Sequence, residues 1–289
     1  MDALARIERT LGSALAQAGR PGGPPLLAQA MMAAVFPRGA RIRSRLCLAV
    51  AAACGDDDPM ASEGAAAAIE LLHCASLVHD DLPCFDNAEL RRGRPSVHRA
   101  FGEPLAVLAG DALIVLAFQI AAQGASRKPV RVGPLVRIIA ESVGAPHGIA
   151  AGQAWECEPE ADLGEYQRAK TGALFAAAAM AGAAAAGAEA EAWRLVGERL
   201  GEAYQVADDI SDVMSNTDEL GKPIGQDRAL GRPSAALQLG VPGALARLDA
   251  LARDAAEAIP PCPGAAELRA LTMMEARRLL PKDLSLRAA

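Results

Sequence analysis

The chain has 289 residues, of which 52% are hydrophobic and only 3% aromatic, and its formal net charge is −6. This length can bury a large core, the hydrophobic share excludes a disordered chain, and the acidic balance argues against a nucleic-acid-binding protein. Much of the apolar content is alanine, the strongest helix former, whereas aromatic residues, which strands favour, are scarce. The composition therefore predicts an all-α protein.

Short breaks rich in Gly and Pro divide the chain into segments of helical length. In chain order these breaks are residues 20–25, 37–44, 54–62, 91–96, 124–134, 215–234 and 259–264. Between them we expect a helix from about Gly64 to Asp81, a long apolar helix from Pro104 to Ala122, and further apolar helices to about Ala207. No strand alternation, internal repeat or interdomain linker is visible, so residues 1–289 are expected to form one large helical domain.

The location of the protein is predicted from its cysteines and its apolar stretches. The six cysteines contain no CxxC pair, and the N-terminal segment has no apolar core of a secretory signal. The uncharged stretch from Thr171 to Ala188 is mostly alanine and glycine, which gain little from lipid, so we expect a tightly packed buried helix. We therefore expect a cytoplasmic protein with reduced thiols and no stable membrane insertion.

An aspartate cluster ends the predicted helix in "LLHCASLVHDDLPCFD". Asp80 and Asp81 are adjacent, and Asp86 must return from a loop that follows Pro83. Like charges this close are costly unless a cation lies among them. The pattern therefore predicts a cation site at the end of an apolar helix.

A second cluster lies in "YQVADDISDVM", which contains Asp208, Asp209 and Asp212. Asp208 and Asp212 are four residues apart and share a helix face. All-oxygen sites suit Mg²⁺, which usually binds one or two carboxylates together with water and substrate phosphates. Two such clusters facing each other could hold several Mg²⁺ ions around one diphosphate.

Basic segments lie near both clusters and further upstream, and arginine grips phosphate oxygens bidentately. Their residues are Arg91, Arg92 and Arg94 after the first cluster, Lys222, Arg228 and Arg232 after the second, and Arg38, Arg41, Arg43 and Arg45 upstream. Together with the aspartates they predict a site for two diphosphates, one held through metal and one held directly by cations.

The motifs resemble those of trans-isoprenyl diphosphate synthases over about Leu26 to Ser234. The segments "HDDLPCFDNAELRRGRPS" and "YQVADDISDV" are similar to the two aspartate-rich motifs of the family, and "KTGALF" and "GKPIGQD" match two further signatures. Within the family, "FPRGARIR", "LLHCASLVHDDLP", "EPLAVLAGDALI" and "AGQAWE" resemble bacterial geranylgeranyl diphosphate synthases of carotenoid and chlorophyll pathways.

The resemblance implies mostly antiparallel helices around a deep central cavity, in a cytoplasmic homodimer. It implies a Mg²⁺-dependent head-to-tail condensation of isopentenyl diphosphate with dimethylallyl, geranyl or farnesyl diphosphate, giving a twenty-carbon product. Two or three Mg²⁺ ions are expected in each site, with Mn²⁺ as a possible substitute. The implied metal ligands are Asp80, Asp81, Asp86, Asp208, Asp209 and Asp212.

The other implied site residues bind the two substrates or line the reaction centre. For the allylic diphosphate they are Arg91, Lys170, Lys222 and Arg232. For isopentenyl diphosphate they are Arg43, His73 and Arg92, with the backbone near Gly39. Lys170, Thr171 and Gln205 are the implied catalytic residues.

The sequence departs from the family in its first basic motif. The usual GGKRxRP is "RGARIRS" here, so Ala40 replaces a lysine and one expected cation of the isopentenyl site is lost. Arg38 or Arg41 could compensate. Arg232 also stands where the family has a lysine, which keeps the charge but not its geometry.

Product length is predicted from the helix that ends at Asp80. Ala75 and Ser76 lie about one turn before it, beside the expected path of the growing tail. A large aromatic residue at Ala75 would form a floor near the fifteen-carbon stage, whereas alanine leaves the path open. We therefore expect a twenty-carbon product.

Other functions remain open from sequence alone. A farnesyl diphosphate synthase would differ only in product length, and a non-catalytic partner subunit would tend to lose one aspartate cluster. A terpene cyclase would not need the second diphosphate site, and a head-to-head synthase should show different DxxxD spacing. A di-iron helical protein should show Glu-x-x-His motifs on two helices, and only one of the four histidines, His73 after Glu70, follows a Glu at that distance.

Overall fold

The computed structural model describes residues 2–36, 39–160, 163–214 and 234–278. Within these ranges nearly all regular structure is helical, which confirms the predicted all-α class. The helices are α1 (Ala3–Ala18), α2 (Pro25–Val35), α3 (Ile42–Ala53), α4 (Pro59–Asp80), α5 (Val97–Phe101), α6 (Glu103–Gly124), α7 (Val132–Val143), α8 (Ile149–Ala154), α9 (Leu163–Gln167), α10 (Ala173–Ala185), α11 (Arg194–Met214), α12 (Ala235–Glu257) and α13 (Ala265–Arg278).

Helix α4 is longer than predicted, because it begins at Pro59 and not near Gly64. Proline is well suited to the first helical position, since its fixed φ is helical and its missing N–H would have no partner there. The helix ends at Asp80, close to the predicted end. Helix α11 also continues beyond the expected Ala207, to Met214, so it carries the whole second aspartate cluster.

The predicted loop 91–96 contains a small hairpin. Strand β1 (Leu90–Arg91) pairs antiparallel with β2 (Arg94–Pro95), with Arg91 opposite Arg94. Both turn residues are left-handed, Arg92 with φ 53° and Gly93 with φ 75°, which is the backbone of a tight hairpin turn. The sequence did not predict it because four strand residues are too few to show alternation.

Helices α4 and α6 pack closely against each other and run antiparallel. A Cβ atom at Gly64 would lie 2.8 Å from the carbonyl oxygen of Ile120, and one at Gly124 would lie 2.6 Å from that of Met60. At the other end of the pair, the ring of His79 lies against Gly110. Glycine therefore allows α6 to support α4 along its length up to the residues before Asp80.

Helix α10 is almost entirely buried, as predicted for the alanine-rich stretch. Glycines allow its neighbours to approach: a Cβ atom at Gly182 would lie 2.3 Å from the carbonyl oxygen of Cys47 on α3, and one at Gly197 of α11 would lie 2.4 Å from that of Phe175. Helix α10 thus forms the centre of the packing between α3 and α11.

One helical stretch, Glu103–Arg127, has the length and apolar composition of a membrane span. Slightly under half of its most apolar window (44%) is buried within the protein, mainly through α6 packing on α4. Core helices commonly share such a composition, so this stretch is weak evidence for membrane insertion.

Candidate active site

The first aspartate cluster lies where α4 ends. Asp80 and Asp81 are buried, and the loop after Pro83 folds back so that the amide of Asp86 donates to the carbonyl oxygen of Asp80 at 2.9 Å. The amide of Ala88 donates to the carbonyl oxygen of Asp81 at 3.1 Å. The expected return of Asp86 is therefore seen in the backbone, and its own side chain is exposed.

Asp80 is held by a neutral and a cationic partner. Gln153 Nε2 donates to Asp80 Oδ1 at 2.9 Å and to the carbonyl oxygen of Ser76 at 3.0 Å, and Lys170 Nζ lies 3.7 Å from Asp80 Oδ1. Burial raises the pKa of Asp80, with smaller increases from the charges of Glu156 and Asp86, while Lys170 and Gln153 act in the opposite direction. A positive charge near Asp80 is therefore favoured electrostatically.

Asp81 forms a bidentate ion pair with Arg91. Arg91 Nε donates to Asp81 Oδ1 at 3.0 Å and to Oδ2 at 3.3 Å, and Nη2 also donates to Oδ1. Burial disfavours the charge on Arg91, but the hydrogen bond and charge of Asp81 outweigh it and raise the pKa of the guanidinium. Arg91 therefore stays charged beside the predicted metal ligands.

The second aspartate cluster occupies the last turns of α11. Asp209 and Asp212 are buried, and Asp208 is half-buried. Gln205 Nε2 donates to Asp209 Oδ1 at 3.0 Å, and the amide of Ala235 donates to Oδ2 at 2.7 Å. The start of α12 is thus tied to this cluster. The predicted ligands Lys222 and Arg232 lie outside the described residues.

A π-helical turn, Arg168–Gly172, joins α9 to α10 and connects the two clusters. Its Lys170 faces Asp80, while the hydroxyl of Thr171 donates to Gln205 Oε1 at 3.2 Å. π turns shift side chains within a helix and are frequent at functional sites. This turn carries two of the predicted catalytic residues, Lys170 and Thr171, and places the second against Gln205 of α11.

The structure adds two residues that the sequence reasoning did not assign. Gln153 contacts Asp80 as described, and Glu156 forms an ion pair with Lys170 and accepts a 2.6 Å hydrogen bond from the hydroxyl of Tyr166. Burial disfavours charge on Lys170, but Asp80 and Glu156 together raise its pKa. The spacing of Gln153 and Glu156, three residues apart in "AGQAWE", was the one signal that both side chains share a face.

The predicted isopentenyl diphosphate residues gather into a half-buried cationic group. The Arg43 guanidinium stacks 4.6 Å from the Phe175 ring centroid and 5.5 Å from that of Tyr204. Burial lowers the pKa of Arg43, and the charge of Arg92 lowers it further. The Arg92 guanidinium lies against Gly39, where a Cβ atom would be only 2.5 Å from Nη2. An anion would relieve this concentration of positive charge.

His73 belongs to the same group. Its pKa is lowered well below 6.5, first by burial and then by the positive charges of Arg43, Arg92, Arg91 and Arg41. The imidazole is therefore neutral at pH 7. It can still donate one hydrogen bond to a phosphate oxygen.

Arg41 does not compensate for the missing lysine at position 40, so that expectation was wrong. Its side chain is fully buried and is bound by Glu8 and Glu70, with 2.9 Å and 2.7 Å separations. It cannot reach a ligand without breaking both ion pairs. The other candidate, Arg38, lies outside the described residues.

A cavity of about 1180 Å³ opens beside Thr171 and Gln205. Thr171, Gln205 and Asp209 lie in its wall, and the adjacent wall is formed by small residues of α10, Ala173, Ala176 and Ala177. Ala75 and Ser76 are buried but do not line this cavity. Their role in product length stays a prediction.

The carboxylates suit a hard cation that arrives with a phosphate ligand. In the described residues no three acidic, histidine or cysteine side chains converge into a preformed metal site. Instead, Asp80 and Asp209 each have one carboxylate oxygen bound by a glutamine amide. All-oxygen donors in small numbers are what Mg²⁺ uses when substrate phosphates complete its coordination. The residues therefore fit the metal that the resemblance implies.

Comparisons with known proteins show the family of the chain. The polyprenyl synthetase family model matches residues 24–255. A geranylgeranyl diphosphate synthase of Cereibacter sphaeroides is 51% identical over 282 residues, which is 98% of this chain and 98% of the relative. The corresponding enzyme of Rhodobacter capsulatus is 49% identical over 275 residues, 95% of each chain.

Among solved structures, a geranyltransferase from Helicobacter pylori complexed with magnesium and isoprenyl diphosphate superposes with a TM-score of 0.77. It is 28% identical and the match covers 96% of this chain and 98% of that one. The predicted family is thus confirmed by sequence and by fold. The chain belongs to the polyprenyl synthetase family of prenyltransferases.

Proposed function

We propose that this protein is a geranylgeranyl diphosphate synthase that condenses isopentenyl diphosphate head-to-tail with allylic diphosphates. The observation that carries the proposal is the pair of aspartate clusters linked by Lys170 and Thr171, beside a separate cationic group around Arg43. Such a condensation requires two diphosphate-binding sites, one that also binds metal and one that does not. The names of the two bacterial relatives support the twenty-carbon product.

The allylic diphosphate is proposed to lie between the two aspartate clusters. Asp80, Asp81 and Asp86 on one side and Asp208, Asp209 and Asp212 on the other would hold two or three Mg²⁺ ions, or Mn²⁺. When bound, the metal neutralises negative charge on the departing diphosphate. Arg91 and Lys170 add fixed positive charge at the same place, and Lys222 and Arg232 are proposed to contribute as well.

The reaction begins with ionisation of the allylic C–O bond. Oriented dipoles of Thr171 and Gln205 are proposed to face the carbon on which positive charge develops, and Ala173, Ala176 and Ala177 give the cavity an apolar wall along which the hydrocarbon tail can lie. Isopentenyl diphosphate, held by Arg43, His73 and Arg92, presents its double bond to that carbon. A proton then leaves to restore an alkene, and the released diphosphate is the proposed base.

A homodimer in the cytoplasm is part of the proposal. Helix α6 leaves Val107, Leu108 and Val115 exposed on one side, and a second copy of the chain is the simplest cover for these side chains. Sedimentation equilibrium of the wild type and of Val107→Glu/Val115→Glu tests this. A dimer that becomes monomeric in the double variant supports it, and a monomeric wild type contradicts it.

The function is tested by incubating purified protein with Mg²⁺, isopentenyl diphosphate and, separately, five-, ten- and fifteen-carbon allylic diphosphates. A twenty-carbon product that is lost in Asp80→Asn and in Asp208→Asn supports the proposal. A fifteen-carbon product would instead identify a farnesyl diphosphate synthase. A folded wild type without turnover on any primer would indicate a non-catalytic partner subunit.

A further inference from the structure

A buried polar network lies behind the cationic group. Arg41 Nε donates to Glu8 Oε1 at 2.9 Å, its Nη1 to Glu70 Oε1 at 2.7 Å, and its Nη2 to the carbonyl oxygen of Val35 at 2.9 Å. The second oxygen of Glu70 accepts a 2.9 Å hydrogen bond from the hydroxyl of Ser44. The network therefore joins α1, the segment before α3, α3 itself and α4.

The backbone at Arg41 is strained. Its φ is 54°, in the left-handed region that side chains with a Cβ disfavour. Such a conformation persists only where surrounding contacts determine it, and here three ionic or hydrogen-bonding partners do so. Helix α3 begins at the next residue, so the same contacts fix the first turn of α3, which contains Arg43.

Glu70 also acts on Arg43 electrostatically. Among the described residues, Arg43 Nε is buried without a hydrogen-bond partner, and its like-charged neighbour Arg92 opposes its charge. Burial lowers the pKa of Arg43, whereas Tyr204 and then the carboxylate of Glu70 favour its guanidinium form. Glu70 lies three residues before His73 on α4, about 4.5 Å along the helix axis. Its carboxylate is next to the site and is occupied by Arg41 and Ser44.

We propose that Arg41 and Glu70 are positioning residues of the isopentenyl diphosphate site. They hold the backbone and the charge of Arg43, on which the site depends more heavily because position 40 is alanine. This inference rests on the proposed function. Neither side chain touches the substrate, so their effect reaches it only through Arg43.

The test compares Glu70→Gln with Glu63→Gln. Glu63 lies two turns before Glu70 on α4 and, like Glu70, pairs with an arginine. Its partner is Arg6 of α1 at 2.8 Å, so the Glu63–Arg6 ion pair is a matched control away from the site. We expect Glu70→Gln to raise the KM for isopentenyl diphosphate about tenfold while the KM for the allylic primer stays within about twofold. Glu63→Gln should change neither KM.

A purely structural role would lower the amount of active enzyme and leave both KM values unchanged, which would overturn the inference. The double variant Arg41→Met/Glu70→Leu removes both charges, so it should fold better than Arg41→Met alone and still show the raised KM. Calorimetric titration with isopentenyl diphosphate gives the same comparison without turnover. If the wild type binds isopentenyl diphosphate but does not condense it, the proposed function fails. The ratio of the dissociation constants of Glu70→Gln and the wild type for this ligand still decides the inference.

Discussion

Lys170 and Thr171 are consecutive residues whose side chains reach different aspartate clusters. Lys170 Nζ lies 3.7 Å from Asp80 Oδ1 in the first cluster. Thr171 Oγ1 lies 3.2 Å from Gln205 Oε1, and the amide of Gln205 in turn binds Asp209 of the second cluster. Side chains of neighbouring residues in a helix diverge by roughly 100°. The π turn therefore allows one short segment to face both halves of the site.

Replacing Lys170 with methionine should lower kcat by about a hundredfold, because a fixed positive charge near the departing diphosphate is lost. Single-turnover assays with a saturating allylic primer measure this. Lys128→Met is the control, since Lys128 is an exposed lysine that pairs with Asp57 at 3.2 Å and does not line the cavity. Equal rates for the two variants would contradict a role for Lys170 in ionisation.

Replacing Gln153 with leucine should raise the Mg²⁺ concentration needed for half-maximal activity by about tenfold. The amide of Gln153 orients Asp80 while holding the carbonyl oxygen of Ser76, so leucine would leave the carboxylate free to turn. Activity measured across a range of Mg²⁺ concentrations checks this. Gln123→Leu, on the exposed side of α6, should leave the Mg²⁺ dependence unchanged.

Product length tests which wall the growing tail follows. Ala177→Phe places a ring into the cavity beside α10, and we expect the product to shorten to fifteen carbons or fewer. Ala75→Phe, tested in the same assay, addresses the wall that the sequence predicted. Shortening by Ala75→Phe with an unchanged product from Ala177→Phe would place the tail beside α4.

The pH dependence of stability should contain a contribution from His73. In the folded protein the pKa of His73 lies well below 6.5. At pH values between the folded pKa and 6.5, the unfolded chain therefore binds a proton at His73 that the folded chain does not bind. Stability is therefore lost as pH falls below about 6.5, by at most about 1.4 kcal/mol per pH unit. Urea unfolding at pH 7.5 and 5.5 should show a smaller loss in His73→Gln than in the wild type. His147 is exposed, so the control variant His147→Gln should show the same loss of stability between pH 7.5 and 5.5 as the wild type.

Residues that act through a local motif were predictable from the sequence. The two aspartate clusters follow from local residue types, and Lys170 and Gln205 follow from the resemblance of their short segments to family motifs; the roles of all of them stay predictions. Arg41 was misassigned because its partners Glu8 and Glu70 are 33 and 29 residues away, and local sequence does not reveal that an arginine is buried. Gln153 was missed for the same reason, since its contact with Asp80 spans 73 residues.

Two glycine contacts set the distance between α10 and α11, and the one at Gly197 is the closer of the two. At Gly197 a Cβ atom would lie 2.4 Å from the carbonyl oxygen of Phe175, so Gly197→Ala must force the two helices apart. We expect it to destabilise the protein by about 2 kcal/mol, typical of overpacking. Gln205 lies on α11 and Thr171 lies in the π turn that leads into α10, so their 3.2 Å contact should also lengthen and activity should fall.

Gly12→Ala is the matched control for this variant. Gly12 lies within α1 and a Cβ atom there would meet nothing within 4 Å, so alanine should stabilise the protein by about 0.5–1 kcal/mol through its better helix propensity. Denaturant unfolding and turnover of both variants give the comparison. If Gly197→Ala kept both wild-type stability and wild-type turnover, close contact of α10 and α11 would not be what sets the spacing of Thr171 and Gln205.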